Sequence, residues 1–188
     1  MGVPSGYTSA QVVQAVPTGI NSALVFISAG TVTAGATISV LNAFSTTYDF
    51  YSMRFSNFEL AGDNRETRIQ FGTSGVADTG ANYSSRGYYA DTSVSASGST
   101  GSTSMMVNEN SGLTKNSLFL EISSPFLSAT TYVSSKGFGN LATSPTAMVG
   151  HALDGFVNTS TSYTDIFFKS NTGNIGPFTY ALFGYAKS

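Results

Sequence analysis

Phe178-Thr-Tyr-Ala-Leu-Phe-Gly-Tyr-Ala-Lys-Ser188 is an aromatic-rich stretch that reaches the last residues of the sequence. Phe178, Tyr180 and Leu182 fall on one side of an extended chain, which is the period of a strand with one face against a core. Chain ends fray unless a sheet pairs them, so a closing strand this apolar is expected inside the fold or at a subunit contact. The same texture returns at 48–60, 117–126 and 163–169, with short polar punctuation between. None of the longer segments sustains the i, i+3, i+4 spacing of an amphipathic helix. About eight to ten strands with turn signals between them predict an all-β antiparallel sandwich of the jelly-roll kind.

The chain divides into an extended arm, residues 1–21, and a β-sandwich domain, residues 22–188. In the arm Pro4, Gly6, Pro17 and Gly19 bracket one modest apolar run that contains Val12, Val13 and Val16. Its poverty in charge sets it apart from ordinary disordered tails and suits a segment that lies on a neighbouring subunit.

Within the domain, a short apolar run at 23–27 and the alternating Ile38 and Val40 form a hairpin-like pair. Tyr51, Met53 and Phe55 share a face, and then the phase slips so that Phe58 and Leu60 carry the pattern on. A one-residue slip swaps faces, so Ser56-Asn57 is expected to be a β-bulge. Residues 61–64 form a turn, and Thr67, Ile69 and Phe71 alternate with polar partners. Residues 72–81 read as a loop and 83–94 as a tyrosine-rich strand. The Ser/Gly/Thr stretch 93–104 reads as a mobile loop tip, and 108–116 as a polar connection. Leu118, Leu120 and Ile122 give another apolar face before Pro125 breaks the ladder. Further strands are expected near 130–136, 147–153 and 163–169. The expected core is Phe26, Ile38, Val40, Tyr51, Phe55, Ile69, Phe71, Leu118, Leu120, Ile122, Ile166, Phe168, Tyr180 and Leu182.

Composition narrows the function classes. At 188 residues the chain suits one domain, large enough to bury about 70 % of its unfolded surface. It has no Cys, which excludes a disulfide scaffold, a thiolate zinc site and a cysteine nucleophile. Only 10 % of residues are charged, against about 25 % in an average domain, and hydroxyl and amide groups supply the remaining polarity. Such a surface lacks the mixed charge that keeps monomers apart, so a homo-oligomer, a trimer, is expected. A net charge of −2 offers no footprint for nucleic acid. No stretch approaches the length of a membrane span. The first residues lack the basic and apolar regions of a secretory signal, which predicts synthesis in a cytoplasm.

Candidate chemistry is sparse. His151 is the single histidine, and with Asp154 nearby and many serines a Ser-His-Asp arrangement is conceivable, yet no Gly-x-Ser-x-Gly elbow is present. His151 is therefore read as structural. Asp49, Glu59, Glu66, Glu121 and Asp165 sit in strand patterns at positions expected to face solvent, and paired carboxylates of a glycan-cleaving enzyme are not evident. The 61–66 turn lacks the alternating oxygen ligands of a calcium loop. No catalytic residue, no metal and no cofactor is expected. Exposed tyrosines beside serine or arginine stack on sugars or anchor interfaces, which singles out Tyr83, Arg86, Tyr88 and Tyr89 as partner-binding residues alongside Val12, Val13 and Val16.

Leu24-Val-Phe-Ile-Ser, followed by Ile38-Ser-Val-Leu-Asn-Ala-Phe-Ser-Thr-Thr-Tyr-Asp-Phe-Tyr51, Ser124-Pro-Phe126, Thr130-Thr131 and Phe183-Gly-Tyr185, resembles a module found in small structural proteins of tailed bacteriophages. The resemblance covers residues 23–188. Phe183 stands where that module usually has Tyr, and its mid-chain Trp is absent. The resemblance implies a non-enzymatic virion protein made in the host cytoplasm, with no catalytic residues to transfer. A capsid decoration or cement protein is the leading expectation, contacting the major capsid protein or other virion proteins. The alternative is a tail or fibre component whose β-sandwich binds host cell-surface glycan.

Overall fold

The computed structural model describes residues 23–58, 65–90, 93–110, 113–141 and 144–186. Residues 1–21, and with them Val12, Val13 and Val16, lie outside the described residues, as does the 61–64 turn. Among the described residues the fold is all-β, in strands β1 (Leu24–Val32), β2 (Thr37–Val40), β3 (Tyr48–Phe58), β4 (Arg65–Thr73), β5 (Val76–Ala77), β6 (Tyr83–Ala90), β7 (Val94–Ser102), β8 (Met105–Asn110), β9 (Leu113–Ser123), β10 (Thr131–Leu141), β11 (Ser144–Val157), β12 (Asp165–Ser170) and β13 (Phe178–Ala186).

Two antiparallel sheets form a sandwich. The larger runs β1-β13-β3-β9-β10-β11-β6-β7, and the smaller runs β2-β12-β4-β5 with β8 also on β4. The closing strand β13 lies between β1 and β3, an interior position as its apolar pattern requires.

Strand alternation fills the space between the sheets. Tyr51, Met53, Phe55, Leu118, Leu120, Ile122, Val133 and Leu182 from the larger sheet meet Ile38, Val40, Ile69, Phe71, Ile166 and Phe168 from the smaller. Phe55 meets Phe168 edge-on at 5.1 Å and Phe178 at 5.4 Å, the arrangement the ring quadrupole favours. The bulge lies where the phase slip placed it. Pairing of β3 with β9 shifts between Phe55 and Phe58, Asn57 takes a φ of 54°, and both phenylalanines stay in the core.

Six expectations are corrected. The 23–27 run and the Ile38–Val40 strand do not pair with each other, since β1 lies on β13 in the larger sheet and β2 on β12 in the smaller. Phe26 is 59 % exposed, because 24–27 is apolar on both faces and β1 is an edge strand, so Phe26 packs edge-on against Phe183 on the outside. Tyr180 is half-buried and packs against the core. The 93–104 stretch is no loop tip, since Val94–Ser102 forms edge strand β7 on β6; its small alternating residues allow a strand that buries little. The polar 108–116 region continues β8 and begins β9. Asp165 is buried rather than solvent-facing, and its carboxylate accepts bonds from the Asn42 and Gly75 backbone N–H groups and the Thr164 hydroxyl.

Candidate functional site

The strands that bury Tyr51, Leu120, Val133, Leu153 and Leu182 must send their other residues to the outer face of the larger sheet. Register lines these residues up across the strands. Tyr185 pairs with Phe50, Phe50 with Ser123, Ser123 with Tyr132, and Tyr132 with Phe156. Four aromatic side chains thus stand in one row from β13 to β11, interrupted only at Ser123. Phe50 is 55 % and Tyr132 57 % exposed, far beyond what core aromatics show.

A second row runs beside the first. Ser52 pairs with Glu121, Glu121 with Ser134, Ser134 with Asp154, and Asp154 with Arg86. The next row carries Arg54, Phe119, Lys136, Ala152 and Tyr88. The rows border three depressions, with volumes of about 550, 430 and 510 Å³. The first two share Tyr132, Asp154 and Gly155, and the first and third share Glu121 and Ser134. Together they make one open groove.

Glu121 is the best-fixed polar group of this groove. One carboxylate oxygen accepts a 2.7 Å bond from the Ser52 hydroxyl, and the other accepts from the Tyr185 hydroxyl at 3.3 Å. Burial, then the neighbouring Glu121 charge, raises the Tyr185 pKa, so the phenol stays protonated and keeps donating. Among the described residues no cation stands within ion-pair distance of Glu121 or Asp154; the ion pair found there is Arg68–Glu66 on the smaller sheet. The Arg54 guanidinium instead lies over the Phe183 ring, 5.7 Å from its centre. Carboxylates with lone pairs left over, set between flat apolar rings, can accept bonds from hydroxyl or amide donors while the rings take apolar faces.

The residues singled out from sequence divide. Arg86 and Tyr88 are exposed on this outer face, and Tyr89 is half-buried. Tyr83 is fully buried and is not available to a partner. Its hydroxyl accepts the Phe71 backbone N–H at 3.0 Å and donates to the Asp78 carbonyl, and burial raises its pKa. His151 is buried against Gly137 on the core side of β11, whereas Asp154, three positions on, points outward. The alternation of the strand keeps this pair apart. Burial lowers the His151 pKa to about 4, and neither ring nitrogen has a partner among the described residues. No group of three or more metal-ligating side chains occurs among the described residues.

Phe50, Tyr132 and Phe156 carry the row yet were not distinguished from core aromatics by sequence. The alternation at 131–133 and 155–157 was their only local signal, and joining them needed the register of five strands.

No protein-family profile and no curated protein matches the chain. Among solved structures the chain is similar to the CBM2 module of the evolved Dit of Lactobacillus casei BL23 phage J-1, at 10 % identity and a TM-score of 0.27, over 85 % of this chain and 69 % of that one. A superposition this loose establishes neither a shared fold nor a shared ligand.

Proposed function

We propose that the chain is a non-enzymatic virion protein of a tailed bacteriophage, a tail or fibre component that binds cell-surface glycan through the outer face of its eight-stranded sheet. The virion part of this reading rests on the resemblance of residues 23–188 to small phage structural proteins. The glycan part rests on one observation, the outward aromatic row of half-buried Tyr185 and exposed Phe50, Tyr132 and Phe156 beside the fixed carboxylate of Glu121. Sugar rings offer apolar C–H faces and a rim of hydroxyls, and this face offers flat rings and a rim of acceptors. Groups that fix a ligand by a few placed polar contacts over an apolar floor are the usual makeup of small-molecule sites.

A head-decoration role would instead press this face, or the arm, onto the capsid lattice. The two readings separate by location and by competition. Labelling the chain on intact particles by electron microscopy should place it at the tail, and the isolated protein should compete with particles for adsorption to host cells. Label spread over the head, with no competition, would sink the glycan reading and restore decoration.

A further inference from the structure

We infer that the groove takes an internal stretch of a linear β-1,4-linked hexopyranose chain laid across the strands, about five sugars long, with four of them on aromatic rings. This rests on the glycan reading above and adds the shape, direction and length of the ligand.

Direction follows from register. Along β3, β9, β10 and β11 the outward aromatic residues are interrupted by Ser, Glu, Asp or Lys, as in Phe119, Glu121 and Ser123 on β9, and β13 alone carries two in succession, Phe183 and Tyr185. Across the strands the aromatic side chains fall in line. A ligand that stacks repeatedly must follow the row.

Length follows from strand spacing. From β13 to β11 the row makes four strand steps of about 4.8 Å each, or roughly 19 Å. A sugar in an extended β-1,4 chain advances by close to one such strand step, so successive rings meet successive strands. Tyr185 and Phe50 take one neighbouring pair of sugars, a third sugar passes over Ser123, and Tyr132 and Phe156 take the pair beyond it. The gap at Ser123 leaves room for a substituent between them, within reach of the acceptors on Glu121.

Shape follows from the openness of the groove. The depressions run into each other through shared residues and no wall closes around a single ring, so an unbranched segment fits better than a terminal sugar. The sheet twist turns each strand about the row axis by roughly 20–25°, which an extended chain follows by small rotations at its glycosidic bonds.

The test uses the whole chain and two sets of probes: β-1,4-linked oligomers of glucose and of N-acetylglucosamine, one to six residues long, and branched glycans ending in galactose. Affinity for at least one linear series should rise tenfold or more from two residues to five and then level off. Tyr132→Ala should lose at least tenfold on the five-residue oligomer. Tyr132→Phe should retain binding, and Val94→Ala, exposed on the edge strand β7 and lining none of the depressions, should change little. Circular dichroism on each variant confirms that it folds. Equal affinity for one sugar and for four overturns the inference. Binding to the branched glycans with no linear oligomer bound overturns it while leaving the glycan reading intact. If neither set binds and extracted host-envelope polysaccharide does not bind either, both fall.

Discussion

Tyr132 and Phe156 face each other across β10 and β11 with ring centroids 6.4 Å apart and planes inclined by 54°, and both rings remain open to solvent. Cross-strand aromatic pairs of this kind contribute roughly 0.2–1 kcal/mol to a sheet, too little to explain why two large apolar side chains are held outside. Tyr132→Ala should therefore lower unfolding free energy by less than about 1 kcal/mol while removing most glycan affinity. Urea unfolding and a binding isotherm on the same preparation check both halves. A loss of stability as large as that of a core truncation would mean that the ring serves the fold.

Phe55 should behave in the opposite way. It is buried and contacts Phe58, Phe168 and Phe178, so its ring joins the two sheets. Phe55→Ala leaves a cavity that neighbouring strands cannot collapse into, and the expected loss is about 3–5 kcal/mol. Chemical denaturation should show an earlier midpoint at unchanged slope.

These two residues also show how much was legible in the sequence. The phase slip after Phe55 placed the bulge at Ser56-Asn57, because a strand with one buried face cannot change phase without an extra residue. Twelve of the fourteen expected core residues are buried as read. Phe26 failed because a continuous apolar run marks burial without saying which face is covered. The 93–104 stretch failed because a Ser/Gly edge strand takes its order from one neighbour rather than from its own side chains. The aromatic row was out of reach for a different reason: each ring is visible locally, but their alignment is a property of five strands in register, and register is set by the whole sheet.

Asp165 carries a structural role that its place in a strand pattern concealed. Its two oxygens bind the Asn42 N–H at 2.9 Å, the Gly75 N–H at 2.7 Å and the Thr164 hydroxyl at 3.0 Å, joining the turns after β2 and β4 to the start of β12. Asp165→Ala leaves two backbone donors unpaired, at about 1–3 kcal/mol for each buried group. Asp165→Asn should lose less, since its one carbonyl still accepts. Equal stability of both variants with the parent chain would mean that water replaces the carboxylate freely.

Self-association is expected from the low charge. We predict that the isolated chain forms a closed homo-oligomer, a trimer, because a surface with so few Lys and Glu side chains offers little repulsion between copies. Light scattering at micromolar concentration gives the mass directly. A monomer at every concentration would count against the prediction and would leave all contacts to other virion proteins.

His151 should make the fold sensitive to acid. Burial holds its folded-state pKa near 4, below the ordinary value of about 6.5 that applies once the chain unfolds. Between those two values the unfolded chain binds a proton that the folded chain does not, so stability rises with pH across the window. The contribution is complete above about pH 6.5 and is lost as pH falls toward 4, with a limiting slope of about 1.4 kcal/mol per pH unit and a total of roughly 3 kcal/mol. Unfolding free energies measured from pH 7.5 to 4 should follow that curve, superimposed on the titration of the carboxylates below pH 5. His151→Leu keeps an apolar group beside Gly137 and removes the titrating site, so its profile should stay flat between pH 7 and 5. If the variant loses stability over that interval as steeply as the parent, His151 is not the group responsible.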